Sequence, residues 1–364
     1  MSTRTLWAAL VAVALVAAAV AAAVLATRDG SEQAASGHDG VVDGTVWVAN
    51  EDGGSLTAID AGRNEVVATL TGIEGPHNLQ VSPDGTSVWA VSGHDAMAVM
   101  LDATSFDVHG AVPTGAEPAH VVVAPDGSTS YTTNGADDTV TAIDVSTMEP
   151  VATIPVGRYP HGLRVSPDGK WVYVANAKGT TLSVIDTATN AVLDELEVGA
   201  APVQVGFSPD GRLLYASLNG EDAVAKVDVP TRRLVGKAAV GDGPVQVYVS
   251  PDGAYLLVAN QGTEERPSTT LSILDTAAFE VVATVETGRG AHGVVVDPSS
   301  RHAYVTNIYG DDVAVVDLEE RRIVARVPVG AKPNGVSFSP LALGLESERT
   351  VDLPLESLDG MGHG

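Results

Sequence analysis

A 42-residue repeat constrains this chain more than any other feature. The motifs Ser82-Pro-Asp-Gly, Ala124-Pro-Asp-Gly, Ser166-Pro-Asp-Gly, Ser208-Pro-Asp-Gly and Ser250-Pro-Asp-Gly place prolines at 83, 125, 167, 209 and 251, each 42 residues after the last. Asp297-Pro298-Ser-Ser follows 47 residues later, and Ser339-Pro340 another 42 beyond that. The five extra residues fall in the polar stretch 261–270 (QGTEERPSTT). One unit shows what repeats. Residues 161–166 (HGLRVS) read as a strand, and Pro-Asp-Gly-Lys as a turn in which Pro presets φ and Gly takes the left-handed position. Residues 171–176 (WVYVAN), 181–186 (TLSVID) and 191–199 (AVLDELEVG) read as three further strands separated by turns. Four short β-rich strands in about 40 residues predict a propeller blade. Helical repeats are excluded by the β-branched residues and glycines that crowd every unit.

The ends of the repeat predict how the ring closes. Residues 45–50 (TVWVAN) are a second strand whose first strand is missing, and residues 334–340 (NGVSFSP) are a first strand with nothing after it. Together they complete one blade. The expected fold is therefore an all-β, seven-bladed propeller of four-stranded blades over residues 44–340. It is closed by pairing of the C-terminal strand with the N-terminal blade, which removes the open sheet edges of a linear array.

These residues also carry a resemblance. Tyr304-Val-Thr-Asn307, Tyr173-Val-Ala-Asn176, Ser183-Val-Ile-Asp186, Val281-Val-Ala-Thr284 and the Pro-Asp-Gly turns resemble the YVTN-family β-propeller repeat. The family includes surface-layer-type and periplasmic propellers, and its propeller is similar to that of nitrous oxide reductase, in which channel histidines hold a copper cluster. The resemblance implies a fold and says little about function, because the matching residues are blade architecture.

The flanks read differently. Residues 6–26 are an unbroken apolar run preceded by Arg4, long enough to span a bilayer with the N-terminus inside. Val24-Leu25-Ala26 also suits signal cleavage. Residues 1–26 are thus expected to be a signal peptide or a membrane anchor, and the remainder extracytoplasmic: anchored if the run stays, secreted or periplasmic if it is cleaved. Residues 27–43 read as a linker. Residues 341–364 read as an acidic tail outside the fold. His38 and the tail pair Met361 and His363 are weak candidate copper ligands on flexible ends.

Charge and composition exclude several functions. With 46 acidic and 20 basic residues the net charge is −26, which opposes sequence-independent binding to nucleic acid. With no Cys there is no disulfide, thiolate metal site or Cys nucleophile. No nucleophile elbow, metalloprotease helix or phosphate loop is present. The Asp residues that end third strands (60, 102, 144, 186, 228, 275, 317) and the Asn residues near second-strand ends (50, 134, 176, 219, 260, 307) read as turn formers.

The loops leading into the innermost strands are expected to ring one mouth of the central channel. Aligned on the repeat, their first polar residues are His77, His120, His161, Gln204, Gln246, His292 and Asn334, every one an imidazole or a carboxamide. His120, Gln204 and Gln246 sit one position later than the rest. In a regular strand that offset turns a side chain to the other face. Arg158, Arg164, Arg289 and Lys332 lie near the same loops and mark a place for an anionic ligand. Neutral imidazoles at His77, His120, His161 and His292 suit a transition metal such as copper. The structural alternative is that these groups cap loop amides or hold channel water, with no cofactor. Three functions follow: a binding or scaffold module for a protein, glycan or small ligand, with no catalytic set in evidence; a metal-binding or redox protein using the four histidines; or, by family analogy, a cell-envelope structural protein.

Overall fold

The structure is a computed structural model that describes residues 42–355. The apolar run 6–26, most of the linker and the last residues of the tail, including His38, Met361 and His363, lie outside the described residues. Among the described residues no helix is long and apolar enough to cross a membrane.

Seven antiparallel sheets form the propeller. Blade 1 is closed as expected: the C-terminal strand Pro333–Ser339 pairs with Thr45–Asn50, with Phe338 opposite Val46 and Val336 opposite Val48. Ser55–Asp60 and Glu65–Thr71 complete its four strands. The innermost strands of blades 2 to 7 are Leu79–Val81, Pro118–Val123, Pro160–Val165, Pro202–Phe207, Pro244–Val249 and Ala291–Val296. The polar excursion in blade 6 extends its two central strands, Tyr255–Gly262 and Pro267–Asp275, by continued pairing.

The core lies between neighbouring blades. With aromatics at only 4% of the chain, their placement is informative. Trp47, Trp89, Tyr131, Tyr173, Tyr215 and Tyr304 take equivalent positions in the second strands, all at most 1% exposed. Each packs into the space between two sheets; Tyr173, for example, meets Phe207 of blade 5 edge-on at 5.5 Å. Burying one such ring contributes about 1.5–3 kcal/mol.

The recurrent polar residues mostly do what the repeat suggested. In each Ser-Pro-Asp-Gly turn the Ser hydroxyl donates to the Asp, as Ser166 does to Asp168 at 2.7 Å, and accepts an amide of the next strand, Trp171 N–H at 3.0 Å. The third-strand Asp carboxylates accept turn amides, as Asp102 does from Thr104 and Ser105 at 2.8 Å. The second-strand Asn residues do something else. Asn50, Asn134, Asn176 and Asn260 are buried, and each Nδ2 donates to two hydroxyls of the adjacent third strand rather than closing a turn. Asn219 is not their equivalent, because Leu218 takes that place in blade 5. Blade 7 departs from the turn motif, and His302 compensates: its Nδ1 lies 3.1 Å from the buried Asp297 carboxylate.

The tail is the main correction to the sequence reading. Residues 349–352 form a strand, Arg349–Asp352, that adds in parallel to the outer edge of blade 1, with Val351 opposite Leu70. Leu353 is 4% exposed in the blade 1–2 core, and Leu343, Leu345, Val351 and Leu355 pack against it. The acidic composition hid a short alternation of apolar residues that only the blade edge makes useful. Blade 1 is thus five strands wide.

Two truncations test these roles. A chain ending at Lys332 lacks the closing strand and is expected to give no cooperative unfolding transition. A chain ending at Gly344 keeps closure but loses Leu353, and is expected to fold with stability lowered by about 2–4 kcal/mol, read from urea midpoints.

Candidate functional site

Each innermost strand begins after a residue held at positive φ: Gly75, Glu117, Tyr159, Ala201, Gly243, Gly290 and Lys332. The amides of Tyr159, Gly243 and Lys332 are held by Asp138, Asp222 and Asp311 of the preceding blade at 2.7–2.9 Å. The chain then enters the strand through a register irregularity, between Pro118 and Val121, Pro160 and Leu163, Pro202 and Val205, and Ala291 and Val294. A bulge breaks the two-residue alternation. This is why His120, one position later in the repeat than His161, still faces the same space. Hydroxyls lock the bulges to the neighbouring blade. Thr133 Oγ1 accepts from His120 N–H at 3.0 Å and donates to the His161 carbonyl at 2.6 Å. Ser217 and Thr306 repeat the device between blades 5 and 6 and between blades 7 and 1.

Three of the four candidate histidines converge. Ligand nitrogens of His77, His120 and His161 lie within 4.8 Å of one another. His77 Nε2 and His161 Nε2 are 3.2 Å apart, and the His120 and His161 rings are centred 4.7 Å apart. His292 stands outside this triad, with its ring 6.2 Å from that of His77. Its Nδ1 is 2.9 Å from Gln261 Oε1, and Gln261 in turn donates to Tyr309 Oη at 2.8 Å.

The surrounding carboxamides orient the rings. Gln204 Oε1 accepts from Val205 N–H at 2.8 Å, which turns its amino group toward His120 Nδ1 at 3.2 Å. His120 Nε2 is then left buried without a partner. The room for Gln204 comes from Gly162, where a Cβ would collide with the Gln204 carboxamide. His77 Nδ1 lies 3.2 Å from Glu51 Oε2 and 2.9 Å from Asn334 Nδ2, which itself donates to Glu51 at 2.7 Å. His161 Nδ1 is buried with no well-formed hydrogen bond, the Val203 carbonyl being its polar neighbour. Gln246 is buried at the same level.

The expected cations divide. Lys332 sits beside the cluster, 3.4 Å from Asp52 and 3.8 Å from Glu51. Arg158 and Arg289 stay on the exposed rim. Arg164 lines a cavity formed with Pro83, Pro167, Pro209, Pro251 and Pro340, where the turns that follow the innermost strands gather.

Glu51 and Gln261 escaped the sequence reading. Both directly follow the second-strand Asn that bonds the third-strand hydroxyls, Asn50 and Asn260. The position after that Asn in the repeat is a second contributor to the mouth.

Comparison with known proteins agrees with this architecture. Residues 128–220 match the sequence model of the YNCE-like beta-propeller family. That segment resembles the family, and the chain as a whole has a seven-bladed β-propeller fold. No curated protein sequence matches it. Among solved structures, hydrazine synthase from Kuenenia stuttgartiensis is similar at 25% identity, over 74% of this chain and 91% of that chain, with a TM-score of 0.67. A functionally unknown protein from Desulfotomaculum acetoxidans DSM 771 is similar at 15% identity, over 81% of this chain and 99% of that one, with a TM-score of 0.73. Dihydro-heme d1 dehydrogenase NirN is similar at 16% identity, over 80% of this chain and 74% of that one, with a TM-score of 0.61. The last two likenesses concern the fold alone.

Within this propeller the mouth favours neutral imidazole. Burial, followed by the charges of neighbouring histidines, pushes His161 and His292 down from 6.5 to about 3, and pushes His120 down as well. Burial alone raises Glu51, but its contacts with His77, Asn334 and Lys332 outweigh this and hold it at about 2.

A pH dependence follows. Below pH 6.5 the unfolded chain protonates histidines that the native mouth keeps neutral, so the native state loses stability as pH falls from 6.5 toward 3. Each such histidine steepens the loss by up to about 1.4 kcal/mol per pH unit. Urea midpoints at pH 7, 6 and 5 should fall, and His161→Gln should fall less steeply than the wild type.

Proposed function

We propose that this protein is an extracytoplasmic binding propeller that holds one transition-metal ion at the mouth of its channel, through His77 and His161 with His120 as third ligand. The observation that carries the reading is the convergence of three imidazoles on one point. Two nitrogens bound to one tetrahedral ion at about 2.0 Å lie roughly 3.3 Å apart. The two Nε2 atoms of His77 and His161 are already 3.2 Å apart.

The remaining chemistry supports it. Ligation requires neutral imidazole, and burial keeps His120 and His161 neutral. A ligating histidine is steadied when its other nitrogen donates to a carboxylate or carbonyl. Glu51 supplies that acceptor for His77, while His161 Nδ1 is buried without a hydrogen-bond partner. His120 offers its unpartnered Nε2; holding a metal there would put that ring's proton on Nδ1, and the Gln204 carboxamide would have to turn its oxygen to that nitrogen, giving up Val205 N–H. An all-imidazole set suits Cu(II), Zn(II) or Ni(II). His292, tied to Gln261, belongs to the wall of the site and not to the ligand set. The extracytoplasmic setting rests on the apolar run 6–26 and its flanking charge.

The test is elemental analysis of the purified, untagged full chain after incubation with Cu, Zn or Ni salts and desalting. One equivalent of metal is expected, with uptake abolished in the His77→Ala/His161→Ala double variant and preserved in His292→Ala. Only trace metal in the folded wild type, or uptake unchanged in the double variant, overturns the reading. Loss of uptake in His292→Ala would put that residue back among the ligands.

A further inference from the structure

The cavity of about 580 Å³ among the turn prolines has an unusual wall. Its lining side chains are mostly apolar, Val165, Phe207, Val295 and Phe338 among them, but polar and backbone groups contribute as much of its surface as the apolar ones do. Into this wall one guanidinium is set. Arg164 Nη1 donates to the Leu163 carbonyl at 2.9 Å. Among the described residues no carboxylate pairs with it, and the nearest ionisable group in the wall, the Tyr248 phenol, is kept neutral by its burial. Every other lining side chain is apolar or uncharged.

This arrangement is costly for the protein alone. A partly buried cation loses some of its hydration, and an opposite charge with hydrogen-bond acceptors restores it. The chain has 46 acidic residues and sets none in this wall. A surplus of carboxylates makes their exclusion here a feature of the cavity and not a shortage of partners. The polar side chains in the wall are already engaged: Gln80 Oε1 accepts from Val123 N–H at 2.8 Å, and Ser337 Oγ accepts from Val81 N–H at 3.1 Å. Those bonds occupy oxygens, so the Gln80 amino group and the Ser337 and Tyr248 hydroxyls stand as neutral donors in the same wall, with Arg164 as its one cation. A guanidinium presents a planar fork that fits a carboxylate with two parallel hydrogen bonds.

We propose that the cavity binds a small organic carboxylate, its anionic head on Arg164 and its apolar body against Phe207, Phe338 and the valines. The wall decides between anions. A carboxylate with an apolar body uses both parts of the cavity, the guanidinium for its head and the phenylalanines and valines for its body, whereas inorganic phosphate or sulfate makes no use of the apolar side chains. The cavity shares no lining residue with the histidine cluster, although the Arg164 charge reaches His120 and helps keep it neutral.

The probe is benzoate, titrated calorimetrically into the metal-free full chain, with inorganic phosphate and the neutral isostere benzamide as controls. Benzoate is expected to bind with one-to-one stoichiometry. Phosphate and benzamide should bind at least about tenfold more weakly, since each lacks half of the match. Arg164→Gln should weaken benzoate by a similar factor of about ten or more, with Arg164→Lys between the two. The His77→Ala/His161→Ala variant should bind benzoate as the wild type does, so failure of the metal reading and failure of this one are distinguishable. Absence of benzoate binding, or affinity unaltered in Arg164→Gln, overturns the proposal. Phosphate binding as tight as benzoate overturns the ligand class. Should Arg164→Gln not fold, the 15N resonances of the Arg164 guanidinium in the wild type decide: no shift on adding benzoate overturns the site.

Discussion

Pairing of Pro333–Ser339 with Thr45–Asn50 is the contact on which the rest of the molecule depends. Seven sheets packed face to face bury their cores only if the seventh also meets the first, and hydrogen bonding between the two chain ends secures that meeting. The same contact assembles the candidate site. Asn334 comes from the closing strand, Glu51 from the loop after its partner strand, and His77 from the entry to blade 2; they meet in one hydrogen-bonded group. An open ring would lose both its last interface and one wall of the histidine cluster. The tail strand Arg349–Asp352 then covers the outer edge of the same blade, so blade 1 is held at its inner and outer margins by the C-terminal region.

The second constraint is the bulge at the start of the innermost strands. Regular strands alternate faces, and a ring of seven would present one side chain per blade to the mouth at each level. The bulge places two consecutive positions within reach, and Gly162 at the second position in blade 4 leaves space for Gln204 of blade 5. Imidazoles and carboxamides thereby interleave across blade boundaries, as Gln204 on His120 and Asn334 on His77 show. The result is a closely packed polar cluster in a protein with few aromatic residues and strong negative charge. Thr133, Ser217 and Thr306 make it rigid by joining a bulge amide to the carbonyl of the next blade.

Much of the fold was legible in the sequence because a propeller is built by local rules. The Pro-Asp-Gly turns, the strand pairs and the 42-residue spacing are patterns within one unit, and blade count and closure follow from which strands are missing at the ends. The histidine ring was legible by the same alignment. Glu51 and Gln261 were not, because they reach the mouth from the other end of the blade's second strand. Asn219 was misplaced by one residue, since a repeated letter near the right position is not a repeated position. The tail strand was hidden because its apolar residues gain a partner only when the edge of blade 1 exists.

The sequence by itself determined the architecture: the number of blades, their internal order, the closing strand and the residue types that face the channel mouth. Tertiary structure decided which of those residues meet. Three histidines converge and His292 does not, because the bulges set side-chain direction blade by blade and Gln261 holds His292 against its own blade. Arg164 lies three positions beyond His161 in the sequence, yet it lines the cavity among the turn prolines. The physical reason is one of scale. Strand and turn preferences act over a few neighbouring residues, whereas the chemistry of this channel is set by side chains 26 to 283 residues apart that come within hydrogen-bonding distance only when the blades assemble.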